Sequence, residues 1–225
     1  MTTLGVLLAG GRGARLGPGS PKALVTVAGK TLLERALETL GPVCDVVVIA
    51  APAALTLEPA LGRARMDGRV ELRRVDDPAD AAGPLAGLVA GLEAARFRRA
   101  LALGVDFPLM RVAFLAALLD RLEDGPGSAI SADAHERARA VIPAPAGVPQ
   151  PLVAAYAPEA TAVLRAALDR GERAATRAVL ALAPRLLGDD ELAALPGGLE
   201  SLFNLNTPDA LAEAERRLAS PRETA

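Results

Sequence analysis

Three stretches of this 225-residue chain carry residue types that could do chemistry, and all three point toward phosphate. The segment Gly10–Lys22, GGRGARLGPGSPK, crowds glycine and proline between two charged anchors, Arg15 and Lys22. Glycines let backbone N–H groups come close to an anion, and the two cations would neutralise charge on phosphate oxygens. Asp106 closes the apolar run ALALGV in the sequence Val105-Asp106-Phe107-Pro108. Asn204 and Asn206, the only asparagines in the chain, sit together in FNLNTP. Scarcity singles out Lys22 as well, because the chain is rich in arginine and its only other lysine is Lys30. Two familiar phosphate loops fail on spacing. A Walker loop needs Gly before the Lys and Ser or Thr after it, whereas Pro21 and Ala23 flank Lys22. The dinucleotide fingerprint G-x-G-x-x-G is missed by one residue, between Gly13 and Gly17.

The pattern LAGG-x-G-x-R-L-G-x(3)-P-K-A-L, from Leu8 to Leu24, resembles the signature loop of the nucleoside-triphosphate transferases. Three further segments are similar, in order, to molybdenum cofactor guanylyltransferases (MobA-like proteins). GPLAGL at Gly83–Leu88 follows the acidic stretch Asp76-Asp77, VDFP carries Asp106, and FNLNTP precedes Asp209; Gln150-Pro151-Leu152 resembles an acceptor-side pattern. The resemblance implies transfer of GMP from GTP to the terminal phosphate of molybdopterin, with release of pyrophosphate. It implies Arg15, Lys22 and Asp106 as catalytic residues, with Asp106 holding Mg2+. Leu8, Ala9, Gly10, Gly11, Lys22, Asp76, Asp77 and Gly83 would then line the nucleotide, and Asn204 and Asn206 the acceptor. Arg137 or Arg139 could meet the acceptor phosphate. Transient contact with the cofactor insertion machinery or target enzymes is a further implication. Two features depart from the family pattern: a longer stretch between Gly17 and Lys22, and Ala50-Ala51-Pro52 where an Asn is frequent. A cytidylyltransferase of the same fold, acting on molybdopterin or another phosphorylated acceptor, is the alternative enzyme. A non-catalytic nucleotide- or cofactor-binding relative is the alternative outside catalysis.

Positioning these residues requires a particular kind of scaffold. Gly5–Ala9, Asp45–Ala50, Val70–Val75 and Ala100–Val105 are apolar-centred runs expected as buried strands, and they alternate with helical patterns. Helices are expected at Leu32–Leu40, Pro84–Ala95, Val112–Leu122, Pro158–Asp169, Arg173–Ala183 and Pro208–Leu218. Thr31 and Glu34 form a capping-box pattern before the first of them. Short strands are expected at Ala129–Ala132, Ala138–Ile142, Leu152–Tyr156 and Leu199–Leu205. In the last, Asn204 and Asn206 would share one face and Leu205 the other. Thr207 is an alternative cap for the final helix. The alternation implies a single-domain Rossmann-like three-layer α/β/α fold with a mostly parallel sheet, over residues 1–219, and a frayed tail at 220–225. In such sheets ligands sit at the carboxyl ends of strands, where the glycine-rich loop and Asp106 both fall.

Composition narrows the rest. Acidic and basic side chains nearly cancel, to a net charge of -2, and there are four Phe, one Tyr and no Trp. A basic, aromatic nucleic-acid surface is therefore not expected. One cysteine (Cys44) allows no internal disulfide, and one histidine (His135) excludes a His-rich metal site. The apolar start is too short for a signal peptide and no run reaches membrane-spanning length, so a cytoplasmic protein is expected.

Overall fold

A computed structural model describes residues 2–10, 21–64, 68–76, 83–123 and 138–219. Strands are β1 (Thr3–Leu8), β2 (Thr26–Val27), β3 (Lys30–Thr31), β4 (Val46–Ala51), β5 (Glu71–Asp76), β6 (Arg99–Gly104), β7 (Ala140–Pro143), β8 (Val153–Tyr156) and β9 (Arg185–Leu187). Helices are α1 (Leu32–Leu40), α2 (Glu58–Leu61), α3 (Pro84–Glu93), α4 (Val112–Glu123), α5 (Glu159–Asp169), α6 (Ala175–Leu180), α7 (Asp189–Ala193) and α8 (Pro208–Ala219).

Seven strands form one sheet in the order β5-β4-β1-β6-β8-β7-β9. Only β8 runs against the others, pairing antiparallel with β6 and β7. The remaining pairs are parallel, so the carboxyl ends of β1, β4, β5 and β6 share one edge of the molecule. Alternate residues of each buried strand enter opposite cores. Leu7, Ile49, Leu103 and Val141 pack with Leu33 and Leu37 of α1 and Phe114 and Leu118 of α4. Leu4, Val6, Val48 and Ile142 pack with Leu85 and Leu88 of α3, Leu164 of α5 and Val179 of α6. The result is a sheet covered on both faces, a three-layer α/β/α arrangement.

Local chemistry sets the helix starts. The Glu34 N–H donates to Thr31 Oγ1 at 3.1 Å, while the Thr31 N–H donates to Glu34 Oε2 at 2.5 Å, closing the expected capping box on α1. Burial would raise the Glu34 pKa, but the Thr31 hydrogen bonds and the Arg63 guanidinium outweigh it and hold the carboxyl below its ordinary value. The Ala210 N–H donates to Thr207 Oγ1 at 3.2 Å, so Thr207 caps α8.

Two expected elements differ. Val70–Val75 is not a buried strand: β5 is the sheet edge, and Glu71, Leu72, Arg73 and Arg74 are all exposed. Charged side chains there blunt an edge that would otherwise invite pairing. Leu199–Leu205 is not a strand either; Gly198–Leu202 winds into a 3-10 turn, and the chain is extended only from Phe203. The segment Ala129–Ala132 and the tail from 220 lie outside the described residues.

Candidate active site

Four side chains from three distant segments meet at the carboxyl edge of the sheet. Lys22 starts a 3-10 turn, Lys22–Leu24, in which Ala23 is fully buried against the core and so anchors the lysine. The hairpin β2–β3 follows, its turn residues Ala28 and Gly29 at φ 47° and 79°, the left-handed pair such tight hairpins use. Arg35 of α1 donates to the Val27 carbonyl and holds the hairpin down. Lys22 Nζ, thus placed, donates to Asn206 Oδ1 at 2.6 Å and to Asp106 Oδ2 at 3.2 Å.

Asp106 follows β6 directly, after the Val105 N–H continues the ladder by donating to Leu8 O at 3.1 Å. Its carboxylate folds back over Gly104, where a Cβ would lie 2.4 Å from Oδ1; only glycine leaves that room. Asn204 Nδ2 donates to the same Oδ2 at 3.1 Å, and the Leu205 N–H donates to the Asp106 carbonyl at 2.8 Å. Leu205 is fully buried, so the alternation expected of this segment is present although the strand is not. Asn204 and Asn206 both reach the Lys22–Asp106 pair. The lysine side chain is 11% exposed and the aspartate 22%, so the charges face each other with little water between and remain open on one side.

The other residues singled out by sequence distribute around this cluster. Leu8, Ala9 and Gly10 end β1 beside it, with the Ala9 N–H donating to Ala50 O. Asp76 ends β5 at the same edge of the sheet but in an exposed position, without a contact to the four. Gly83 caps the N-terminus of α3 at φ 70° and ψ 178°, and a Cβ there would lie 2.8 Å from the Arg173 carbonyl oxygen. That backbone is accessible only to glycine, and it leaves a helix N-terminus suited to negative charge. Arg15, Gly11, Asp77, Arg137 and His135 lie outside the described residues. Arg139 is misplaced for an acceptor phosphate: it precedes β7 at the amino end, level with Arg99 and away from Asp106. The Pro52 and Ala53 carbonyls after β4, where an Asn was missing, are held by Arg74 Nη2 at 2.7 and 3.0 Å. Cys44 is buried before the amino end of β4, at the opposite edge of the sheet from Asp106, and burial and then Asp45 push its thiol up to about 12.

Among the described residues no group of three or more His, Cys, Asp or Glu could hold a metal. A site built on one carboxylate still fits a hard cation that shares its coordination with phosphate oxygens. Asn204 strengthens the fit, because its Oδ1 is buried without a hydrogen-bond partner while its nitrogen is committed to Asp106. No helix among the described residues is long and apolar enough to cross a membrane.

A doubly covered, mostly parallel sheet with a Lys–Asp pair at its carboxyl edge defines a nucleotidyltransferase-type α/β protein. The chain belongs to the MobA-like NTP transferases, whose family model matches residues 5–185. A molybdenum cofactor guanylyltransferase of Pseudomonas syringae is 34% identical over 90% of this chain and 88% of its own. That of Nitrobacter hamburgensis is 32% identical over 96% and 95%. Among solved structures, molybdopterin-guanine dinucleotide biosynthesis protein A of Archaeoglobus fulgidus superposes with a TM-score of 0.74 at 26% identity, covering 96% of this chain and 98% of that one. A cytidylyltransferase of Thermus thermophilus shares the fold, with a TM-score of 0.60 at 19% identity over 96% and 98%.

Proposed function

We propose that this protein transfers GMP from GTP to the terminal phosphate of molybdopterin and releases pyrophosphate. The observation that carries the reading is the convergence of Lys22, Asp106, Asn204 and Asn206 on one half-open point at the carboxyl edge. An acceptor phosphate oxygen forms a bond to the α-phosphorus of GTP as the bond from that phosphorus to the bridging oxygen breaks. The acceptor is already an anion near neutral pH, so no general base is needed. The task is to bring two polyanions into line and stabilise charge.

Lys22 meets this task as a compact cation held between two acceptors, able to exchange one of them for a phosphate oxygen. Arg15, from the same glycine-rich loop, is assigned the second positive charge. Leu8, Ala9, Gly10, Gly11, Asp76, Asp77 and Gly83 are assigned to the nucleotide, and Asn204 and Asn206 to the acceptor side. Asp106, oriented by Asn204, would hold Mg2+, which when bound neutralises triphosphate oxygens. We place the reaction in the cytoplasm and treat 1–219 as one nucleotidyltransferase domain.

The test is pyrophosphate release from the purified protein with molybdopterin and each nucleoside triphosphate in turn. GTP should be consumed in preference to CTP, ATP and UTP. Equal or better use of CTP would move the protein to the cytidylyltransferase alternative. Absence of pyrophosphate with every nucleotide would leave a binding protein.

A further inference from the structure

We infer that Arg111 and Glu200 form a positioning pair that locks the Asp106 turn to the segment carrying Asn204 and Asn206, and so sets the geometry of the transfer site. The inference rests on the nucleotidyl-transfer reading above. Asp106 opens a tight turn in which the Met110 N–H donates to Phe107 O at 3.1 Å. Arg111 follows at once and receives the first hydrogen bonds of α4, from Phe114 and Leu115. Across from it, Glu200 lies in the 3-10 turn, and its carbonyl accepts from the Phe203 N–H at 3.0 Å, which sets the direction in which Phe203–Asn206 leaves. Arg111 Nη2 meets Glu200 Oε2 at 2.8 Å. The circuit then closes back on the start, through Asn204 Nδ2 to Asp106 Oδ2 and Leu205 N–H to Asp106 O.

A further observation shows that the turn is shaped around this arginine. Gly197 sits at φ +83°, and a Cβ there would lie 2.6 Å from Arg111 Cδ and 2.6 Å from Ser201 Oγ. The methylenes of Arg111 occupy the space that any other residue at 197 would fill. Asn204, in turn, has one hydrogen bond and a buried, unpartnered Oδ1, so its amide alone cannot fix the segment. The backbone bond at Leu205, its buried side chain and the Lys22–Asn206 hydrogen bond hold the segment's end, and the Arg111–Glu200 pair ties its start to the Asp106 turn. Both members of that pair are about two-fifths exposed, which makes it a weak contributor to global stability. A 1 Å error in catalytic geometry, by contrast, is expensive in rate.

The experiment uses the full chain with Glu200→Gln, Arg111→Met (which keeps the methylene stem) and Arg111→Lys. Four quantities are read: kcat and KM for GTP from pyrophosphate release, Mn2+ affinity with GTP by electron paramagnetic resonance, and melting temperature. Asp106→Asn serves as the control that locates the Mn2+ signal. Glu200→Gln and Arg111→Met should lower kcat roughly 5-fold and weaken Mn2+ binding to a similar degree, with KM for GTP within about twofold. Melting temperature should stay unchanged, and Arg111→Lys should recover most of the loss. Wild-type kcat and Mn2+ affinity in both neutralised variants, or losses that only track a lowered melting temperature, would overturn the positioning role. A wild-type chain that releases no pyrophosphate overturns the functional reading instead; the Mn2+ arm needs no acceptor and still decides the role of the pair. No Mn2+ signal sensitive to Asp106→Asn overturns both.

Discussion

Asp106 Oδ2 accepts from an ammonium and an amide at once, so its negative charge is shared before any ligand arrives. Asp106→Asn keeps the shape but removes that charge and leaves Lys22 facing a neutral amide. Turnover should fall at least ~100-fold, the scale of losing one charge-stabilising group, in a chain whose fold persists by circular dichroism. Lys22 tests a different property. Its Nζ fits between Asn206 and Asp106 in a space that leaves the side chain 11% exposed, and a planar guanidinium cannot occupy that point. Lys22→Arg should therefore lose at least ~10-fold in kcat/KM; wild-type rates would show that charge alone suffices. Asn206→Ala removes one acceptor of Lys22 and should raise KM for molybdopterin or lower kcat. GTP affinity by calorimetry should hold within ~1 kcal/mol, about one neutral hydrogen bond. Lys22 and Asn206 stand out in the sequence as rare types at motif positions, and Asp106 as the residue that ends an apolar run. The contact between Lys22 and Asn206 does not, because residue spacing carries no information about which distant segments a sheet edge brings together.

Helices and strands were legible where burial dictates periodicity, as in α1, α3, α4 and the strands β1, β4 and β6. At β5 a Val-Leu-Val skeleton looks like a core strand, but the edge position leaves Glu71–Arg74 exposed. At Leu199–Leu205 an apolar alternation suggests a strand, but Gly197 and Gly198, both at positive φ, tighten the chain into a 3-10 turn. Close packing between elements is invisible in sequence, and α3 shows how much it matters. A Cβ at Gly91 would lie 2.2 Å from Val6 Cγ1 on β1. Gly91→Ala should destabilise by about 1–3 kcal/mol in urea melts, although alanine is the better helix former. Adding Val6→Ala should recover part of the loss, since the new methyl then fills the vacated space. The capping box gives α1 a pH dependence. The Glu34 carboxyl titrates lower in the folded chain than the ordinary value of 4.5, so its contribution is complete above that pH. It disappears as pH falls through the folded value. Glu34→Gln should be less stable than wild type at neutral pH, with the difference shrinking in acid. A gap that stays constant with pH would assign Glu34 a packing role only.

The whole chain meets in the four-residue cluster, since Lys22 and Asn206 are 184 positions apart and Asn204 and Asp106 are 98 apart. The sole thiol offers a readout of opening, because Cys44 is only 6% exposed, with its sulfur against Gly5 and its pKa pushed up to about 12 by burial. Alkylation in mildly alkaline buffer should be at least ~100-fold slower in the native protein than in urea. Fast native labelling would reveal local opening at the amino edge of the sheet. The distant pairings also fix when function can appear during synthesis. Every strand through Leu187 emerges before Phe203, so the scaffold can assemble on the ribosome while Asp106 still lacks Asn204 and Leu205 and Lys22 lacks Asn206. A translation product that stops at Leu202 would carry every strand of the sheet but lack α8 and both asparagines, and it should be silent in turnover. On this view the segment that carries the two asparagines is what would turn an assembled sheet into a working site.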